Sequence, residues 1–270
     1  MGDSRSRRKA TCLLLTGSVA LFLFALTPDH ARAAGSAYQV DTAEVAAPGS
    51  CKVETWTSFA SNRDFIGALS PDCVFNVGRP VDASVQFTRV RSDGDWATGA
   101  TPKLKTNLVP TAIGAWGFAI SGQSTWDLAT GTNAAMSATI PATLDVSKVL
   151  RINLNGGWFF DRIAARHYAT YGAAFDWRTP NNVWTLTGEV FGLARVGHDA
   201  APLAPTSSDD TFEQALQPFS GTTRPRFQAG LRFRPVDAFS VDLIYGRNLT
   251  GERANWLTLA TVFRFKMPEK

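Results

Sequence analysis

The sequence is poor in the residues that most often carry catalysis or bind metals. Its 270 residues include three cysteines and three histidines, and Cys12 and His30 fall in a leader that we expect to be removed. The remaining histidines, His167 and His198, are far apart in the chain and belong to no cluster with metal-ligand spacing. The glycine-rich motifs of serine hydrolases and of phosphate sites are also missing. We therefore predict no metal, no cofactor and no enzyme activity.

Long apolar runs are also absent, except at the N-terminus. A basic start, MGDSRSRRKA, precedes the apolar residues 12–26, and the small residues 31–33 follow. This order predicts a secretory signal peptide over residues 1–33, cleaved after Ala33. The apolar run is shorter than the about 20 residues that a membrane-spanning helix needs. An exported chain of this kind either stays soluble beyond the inner membrane or crosses the outer membrane with strands.

Net charge is low as well. The formal net charge is +4, and most of it belongs to the predicted leader, so the mature chain is close to neutral. No cluster of basic residues is interleaved with aromatic residues. We therefore predict that nucleic acid is not a partner.

What the chain does have is alternation of apolar and polar residues with a period of two, which is typical of strands with two different faces. Leu231 and Phe233, for example, alternate with Arg232 and Arg234. Helical spacing is absent from these segments. The pattern predicts an all-β chain with strands at about 51–60, 64–76, 81–91, 96–108, 112–125, 134–144, 149–160, 167–178, 182–195, 223–234, 239–248 and 254–265.

Alternation alone fits both a soluble periplasmic sandwich or lipocalin-like barrel and a membrane barrel. Three features favour the membrane. The apolar faces are almost free of charge, and aromatic residues such as Trp177 and Trp184 stand at strand ends, as in an interfacial girdle. The longest connection, residues 196–222, falls on the side opposite to short turns such as NVGRP.

These features predict one antiparallel up-and-down transmembrane β-barrel of about 12 strands in the cell outer membrane. The barrel covers residues 51–265. A periplasmic N-terminal segment, residues 34–50, precedes it, and a tail, residues 266–270, follows. The predicted partners are outer-membrane lipid and lipopolysaccharide, the barrel insertion machinery and small solutes.

The closing stretch FQAGLRFRPVDAFSVDLIYGRNLTGERANWLTLATVFRF resembles the final strands of Gram-negative outer-membrane β-barrel proteins. It is also similar to outer-membrane transporters associated with the degradation of phenol and other aromatic compounds. The stretch SCKVETWTSFASNRDF resembles barrels of alphaproteobacteria. These resemblances imply a barrel over nearly the whole mature chain and a transporter of hydrophobic solutes.

Cys51 and Cys73 remain after the leader is removed, in an oxidising compartment where cysteines usually pair. A hairpin that turns at Asn62 places the two cysteines opposite each other, near disulfide distance. The same register places Lys52 opposite Asp72. Two free thiols are the alternative.

If the apolar face meets lipid, the charged residues of the other face line the lumen. The cations are Lys52, Lys103, Lys105, Arg151, Arg178, Arg226, Arg232, Arg234 and Arg264, and the counter-charges are Glu54, Asp82, Asp176, Glu189 and Asp242.

This excess of positive charge predicts a small porin-like channel or transporter with a mild preference for anions. A plugged barrel that acts as an anchor, a receptor or a gated carrier is the structural alternative. Twelve strands do not decide between them, because eight strands are filled by side chains and 16 to 18 leave a channel.

A lipid-modifying hydrolase is the enzymatic alternative. His167 is expected at the outer rim facing the membrane, as in outer-membrane phospholipases, but Ala169 stands where those enzymes carry a serine. His198 and Asp199, in the long outer loop, are the other catalytic candidates. The simpler interpretations are that His198 and Asp199 belong to a solvated loop and that His167 contacts lipid headgroups.

Overall fold

In the computed structural model of the protein, described residues are 37–92, 94–196, 225–250 and 254–267. The predicted leader, nearly all of the loop 196–222 and the last three residues of the tail lie outside them. Twelve strands are found within the described residues: β1 Ser50–Ala60, β2 Phe65–Asn76, β3 Pro80–Ser92, β4 Asp95–Val109, β5 Trp116–Asp127, β6 Asn133–Asp145, β7 Leu150–Asp161, β8 Arg166–Arg178, β9 Trp184–Val196, β10 Arg226–Val236, β11 Phe239–Asn248 and β12 Asn255–Lys266.

The strands form one closed antiparallel barrel. Each strand pairs with its neighbours in sequence, and β1 pairs with β12, so that Ser50 lies opposite Lys266 and Ala60 opposite Trp256. Closure leaves no unpaired sheet edge, which a barrel in hydrocarbon requires. The predicted fold class and strand number are therefore confirmed, and most predicted boundaries agree with the structure to within two residues.

The start of β5 is the largest difference. The sequence pattern predicted a strand from residue 112, whereas β5 begins at Trp116. Residues 110–115 instead form a turn that folds back on the end of β6, where the Gly114 amide donates to the Asp145 carbonyl at 2.8 Å. Gly114 has a positive φ of 78°, which a glycine adopts without the strain that a side chain would add.

The barrel ends differ in one connection. At the end that holds Ser50 and Lys266, the turns between strands have two to six residues, and the other end carries the connection between Val196 and Arg226. The remaining connections at that second end are as short as the turns. The connection between β9 and β10 alone identifies the second end as extracellular.

The two faces of the wall are separated as the alternation predicted. Outward positions carry exposed apolar side chains along whole strands, such as Leu257, Leu259 and Phe263 of β12, each about half exposed. Intervening positions such as Thr258 and Val262 are buried inside. Within the described residues, no helix has the length and apolar character needed to cross a membrane.

Aromatic residues form a girdle at each end of the apolar belt. Near the periplasmic end, the rings of Trp184 and Phe233 lie 4.6 Å apart, centre to centre. Near the extracellular end, Phe65 packs between Phe59 and Trp96 at 5.1 and 5.8 Å. An uncharged belt between two aromatic girdles matches the hydrocarbon layer and its two interfaces.

A disulfide joins the first two strands. Cys51 and Cys73 lie opposite each other in the β1–β2 register, with their Cα atoms 4.1 Å apart, and their sulfur atoms are bonded. The predicted pairing is confirmed, as is the register that places Lys52 opposite Asp72. Pro71 pairs with Val53 of β1, while the β2–β3 pairing skips Pro71, whose nitrogen has no hydrogen to donate.

The N-terminal segment is not where the sequence analysis placed it. We expected residues 34–50 in the periplasm, but residues 37–49, which we call the luminal segment, enter the barrel from its periplasmic end. Tyr38, Val40, Thr42 and Ala43 are buried there. The segment lies inside because the inward wall offers charged groups that pair with its own polar groups, a match between distant residues that local alternation does not reveal.

Candidate functional site

The lumen is the site on which the inward side chains converge. The luminal segment lies inside it, where its backbone, the Tyr38 hydroxyl and its two carboxylates bind side chains from at least six strands. These contacts between the segment and the wall determine how much of the lumen is open.

Asp41 is the first anchor of the luminal segment. Its carboxylate receives the ammonium groups of Lys103 and Lys105 of β4 at 2.7 and 2.9 Å. Lys105 also donates to the Thr42 carbonyl at 3.2 Å. Burial alone would raise the pKa of Asp41, but the two lysines outweigh burial and hold the pKa well below its usual range. Asp41 is therefore ionised at neutral pH.

Glu44 is the second anchor. Arg151 of β7 binds Glu44 at 2.7 Å, and its other nitrogens hold both oxygens of Asp145 at 2.7 and 3.0 Å. This guanidinium is almost completely buried, with 1% of its side chain exposed. An arginine shared by two carboxylates in this way is held rigidly, because its planar donors match each carboxylate geometrically.

Glu189 of β9 binds the backbone of the luminal segment. Its two oxygens accept the amides of Gln39 and Val40 at 2.8 and 3.1 Å, and Gln228 donates to it at 2.6 Å. Gln228 also donates to the Ala37 carbonyl. Buried backbone amides of an irregular segment need such partners.

Tyr38, the second residue of the luminal segment, contacts an ion pair of the wall. Arg232 of β10 binds Asp242 of β11 at 2.7 Å, the Tyr38 hydroxyl donates to the same carboxylate at 3.2 Å, and the guanidinium lies over the Tyr38 ring. Gly230 of β10 makes room for this ring, since a Cβ at that position would collide with the Tyr38 hydroxyl.

Two cavities adjoin the luminal segment. The larger has a volume of about 340 Å³, and its lining extends from Asp41, Lys103 and Lys105 to Thr88 and Arg226 in the extracellular half. The smaller, about 30 Å³, lies toward the periplasm under Tyr38 and Val40. The segment contributes to the walls of both cavities.

The remaining predicted residues lie toward the periplasmic end. Asp176 accepts from Thr187 at 2.7 Å, and Arg178 lies 4.0 Å from Asp145. Arg234 donates to the Asn182 carbonyl at 3.4 Å, and Arg264 donates to Ser240 at 3.2 Å. The smaller cavity brings together Asp176, Arg178, Arg232, Arg234 and Arg264.

The charge of the lumen differs from the sequence estimate. Four carboxylates that the estimate left out form ion pairs with the assigned cations: Asp41, Glu44, Asp72 and Asp145. Together with the five carboxylates already assigned, they equal the nine assigned cations. Among these residues the predicted positive excess is cancelled while the luminal segment is docked, and the segment itself supplies two of the four added carboxylates.

The lumen also contains apolar side chains that the alternation did not assign to a core. Tyr38 packs in a buried cluster with Trp56, Ile66, Val90 and Ile244, on the side formed by β1 to β3, β11 and β12. Trp256 packs with Val40 and Phe191 in a second cluster. Those that belong to strands stand at inward positions, so their place in the alternation was the sequence signal that could have assigned them to the lumen. They fill part of the lumen, and Trp56, Ile66 and Phe191 also line the larger cavity.

His167 lies on the outward face near the extracellular end. It stacks on Phe160 with ring centres 4.5 Å apart, and its Nδ1 accepts a hydrogen bond from the Trp158 indole at 3.1 Å. Ala169 is the next outward residue of β8. His198 and Asp199 lie outside the described residues.

The chain matches a protein family and shares its fold with solved porins. Residues 22–209 and 206–265 match the family described as Uncharacterised conserved protein UCP029691. No curated protein matches the sequence. The NanC porin shares the fold with a TM-score of 0.58 and 7% identity, over 78% of this chain and 98% of that one.

Two further solved structures are similar. The KdgM porin in complex with disordered oligogalacturonate has a TM-score of 0.57 and 10% identity, over 79% of this chain and 99% of that one. The COG4313 outer membrane channel from Pseudomonas putida F1 has a TM-score of 0.51 and 14% identity, over 82% and 97%. At these identities the likeness shows the shared barrel fold alone, and this fold agrees with the apolar belt in identifying a Gram-negative outer-membrane β-barrel.

Proposed function

The chain belongs to the family described as Uncharacterised conserved protein UCP029691, and from its barrel we propose that it is a channel for small polar solutes whose width is controlled by the luminal segment. The observation that supports the proposal is the polar cavity of about 340 Å³ that reaches from the extracellular half to the docked segment.

The lining of this cavity favours polar solutes. Serine, threonine, glutamine and charged side chains make up most of it, including Ser84, Gln86, Thr101, Gln123 and Thr139. Such a wall replaces the hydration of a polar solute, whereas it leaves an apolar solute in contact with unsatisfied polar groups. Trp56, Ile66, Phe159 and Phe191 also line the cavity, but polar side chains outnumber apolar ones, so we propose polar solutes rather than the aromatic compounds that the resemblance implied.

The docked segment limits the open width. Its contacts are mainly hydrogen bonds and ion pairs with the wall, and these groups can exchange for water or for a solute when the segment moves. Departure of the segment removes Asp41 and Glu44 from the lumen and leaves Lys103, Lys105 and part of the Arg151 guanidinium without their carboxylate partners. We therefore assign the anion preference to the open state, because positive charge then exceeds negative charge along the wall.

The porins among the structural neighbours support a channel through their fold. One of them, KdgM, was solved with oligogalacturonate in its structure. We extend to this chain only the class of function, a pathway for small solutes. We infer an anionic solute because Lys103 and Lys105 bind the Asp41 carboxylate and are left positively charged when it departs.

Conductance in planar bilayers tests the proposal. The folded wild-type protein is compared with Asp41→Asn/Glu44→Gln, which removes both charged anchors of the segment. The control is Asp237→Asn, which removes one carboxylate from the exposed turn between β10 and β11. We expect the double variant to conduct more than the wild type, with a reversal potential shifted toward anions in a salt gradient. The Asp237 variant is expected to match the wild type.

A covalent restraint provides the opposite test. The Ala43 amide donates to the Thr143 hydroxyl at 2.8 Å, so Ala43→Cys with Thr143→Cys is expected to lock the segment in place. The locked protein should conduct less until reductant is added, with the wild type in reductant as the control. Absence of conductance in the wild type and in Asp41→Asn/Glu44→Gln alike would overturn the channel and leave a plugged structural barrel.

A further inference from the structure

Charged residues on the lipid-facing side of the wall are rare and distributed unevenly. Within the described strands, the charged residues at outward positions are Arg89, Arg91 and Arg247. All three are arginines, and all three lie within the last four residues of the extracellular ends of β3 and β11. No acidic residue of these strands faces outward. The periplasmic ends of the described strands have no such outward charge.

Two of these arginines form an ordered pair. Arg89 and Arg91 are successive outward residues of β3, and both guanidinium groups lie over the Trp96 ring, at 4.9 and 5.6 Å from its centre. Arg89 donates to the Thr98 hydroxyl at 2.5 Å, and Arg91 donates to the Arg63 carbonyl at 2.7 Å. These neutral partners hold the side chains in place without cancelling their charge, and neither arginine has an ion-pair partner among the described residues.

The surroundings of the pair are those of a membrane interface. Trp96 is about half exposed, and Phe65 and Phe59 continue the aromatic surface beside it. A solute dissolved in water does not bind to this apolar surface, whereas a lipid places its acyl chains against the belt and its headgroup at the girdle. Two fixed guanidinium groups at headgroup depth are complementary to a phosphate, which accepts paired N–H donors.

We propose that Arg89, Arg91 and Trp96 form a binding site for a phosphorylated lipid headgroup of the outer leaflet, of the lipid A class. The phosphate binds between the two guanidinium groups, and the adjoining sugar and acyl chains contact Trp96, Phe65 and Phe59. This site is separate from the lumen, so it does not depend on conduction by the barrel.

Native mass spectrometry of the folded, detergent-solubilised protein tests the site, with diphosphorylated lipid A as the probe. We expect Arg89→Gln/Arg91→Gln to weaken binding about 30-fold, because each of the two basic residues contributes on the order of 1 kcal/mol near a membrane surface. Arg89→Lys/Arg91→Lys should retain part of the affinity. The matched control is Arg79→Gln/Lys148→Gln, which removes two exposed charges from periplasmic turns and should bind like the wild type.

Two further arms separate the sources of binding. Lipid A stripped of its phosphates should bind the wild type as weakly as the diphosphorylated form binds the Gln variant. Inorganic phosphate at millimolar concentration should compete poorly with lipid A because it lacks the acyl chains. Equal binding of both lipids by the wild type would overturn the site, since the apolar belt would then account for the affinity. Undiminished binding by a Gln variant that still shows heat-modifiable migration on a gel would overturn it as well.

Discussion

Single residues inside this barrel have roles that depend on what faces them across the lumen. Gly246 of β11 stands at an inward position, and the Trp256 ring of β12 occupies the space where its Cβ would project. Trp256 in turn packs on Val40 of the luminal segment and donates to Gln228 at 3.3 Å. The absence of a side chain at Gly246 therefore determines where Trp256 lies and what the segment packs against.

Gly246→Ala is expected to destabilise the folded barrel by about 1–3 kcal/mol, the usual cost of overfilling a packed interior. Urea unfolding in lipid vesicles, followed by tryptophan fluorescence, measures the loss. Gly156→Ala is the matched control, because a Cβ at that outward position of β7 meets no atom within 4 Å. Equal stability of the two variants would contradict the proposed role of Gly246.

At the scale of elements, the β1–β2 hairpin is the unit with a covalent restraint. Its disulfide lies at the periplasmic end, one residue from the start of β1, and the luminal segment enters the barrel next to it. The Gly49 amide donates to the Val74 carbonyl at 2.9 Å, and the Met267 amide donates to the Gly49 carbonyl at 2.8 Å. The entry point of the segment is therefore held by both β2 and the end of β12.

Replacing both cysteines, Cys51→Ser/Cys73→Ser, is expected to lower the free energy of unfolding by about 3 kcal/mol, because the bond closes a loop with a sequence separation of 22 residues. Unfolding in urea with and without reductant measures the change, and the wild type in reductant should approach the variant. A variant as stable as the oxidised wild type would show that the hairpin register needs no covalent support.

At the scale of the whole molecule, the closed register between β1 and β12 makes the barrel one cooperative unit. Every described strand has a hydrogen-bonded neighbour on both sides, so local opening breaks two ladders in a layer without water. Such barrels resist detergent until they are heated.

The outer-membrane fraction should therefore contain a form of the protein whose migration on a gel changes after boiling. Migration that is the same with and without heating would contradict a membrane barrel and favour a periplasmic domain. Wild type, Gly246→Ala and the cysteine variant should all retain the heat-modifiable form, because none of these changes alters the strand number or closure.

The sequence alone determined the wall of this protein. Strand number, register of the first hairpin, the outward apolar face and the disulfide all follow from a period of two, because each strand residue has only two sides to face and hydrocarbon selects one of them. The pairing of Cys51 with Cys73 could be predicted because the hairpin is short and its turn fixes which residues stand opposite.

Only the tertiary structure decided what fills the lumen. The stretch AYQVDTAEV gives no sign that Asp41 binds Lys103 and Lys105 or that Glu44 binds Arg151, since these partners lie about 60 and 107 positions away. Trp56 and Trp256 have the parity of the inner face, but parity does not show their packing on Tyr38 and Val40, which depends on barrel curvature. The filling of the lumen depends on such long-range contacts because side chains from distant strands meet only after the barrel has closed.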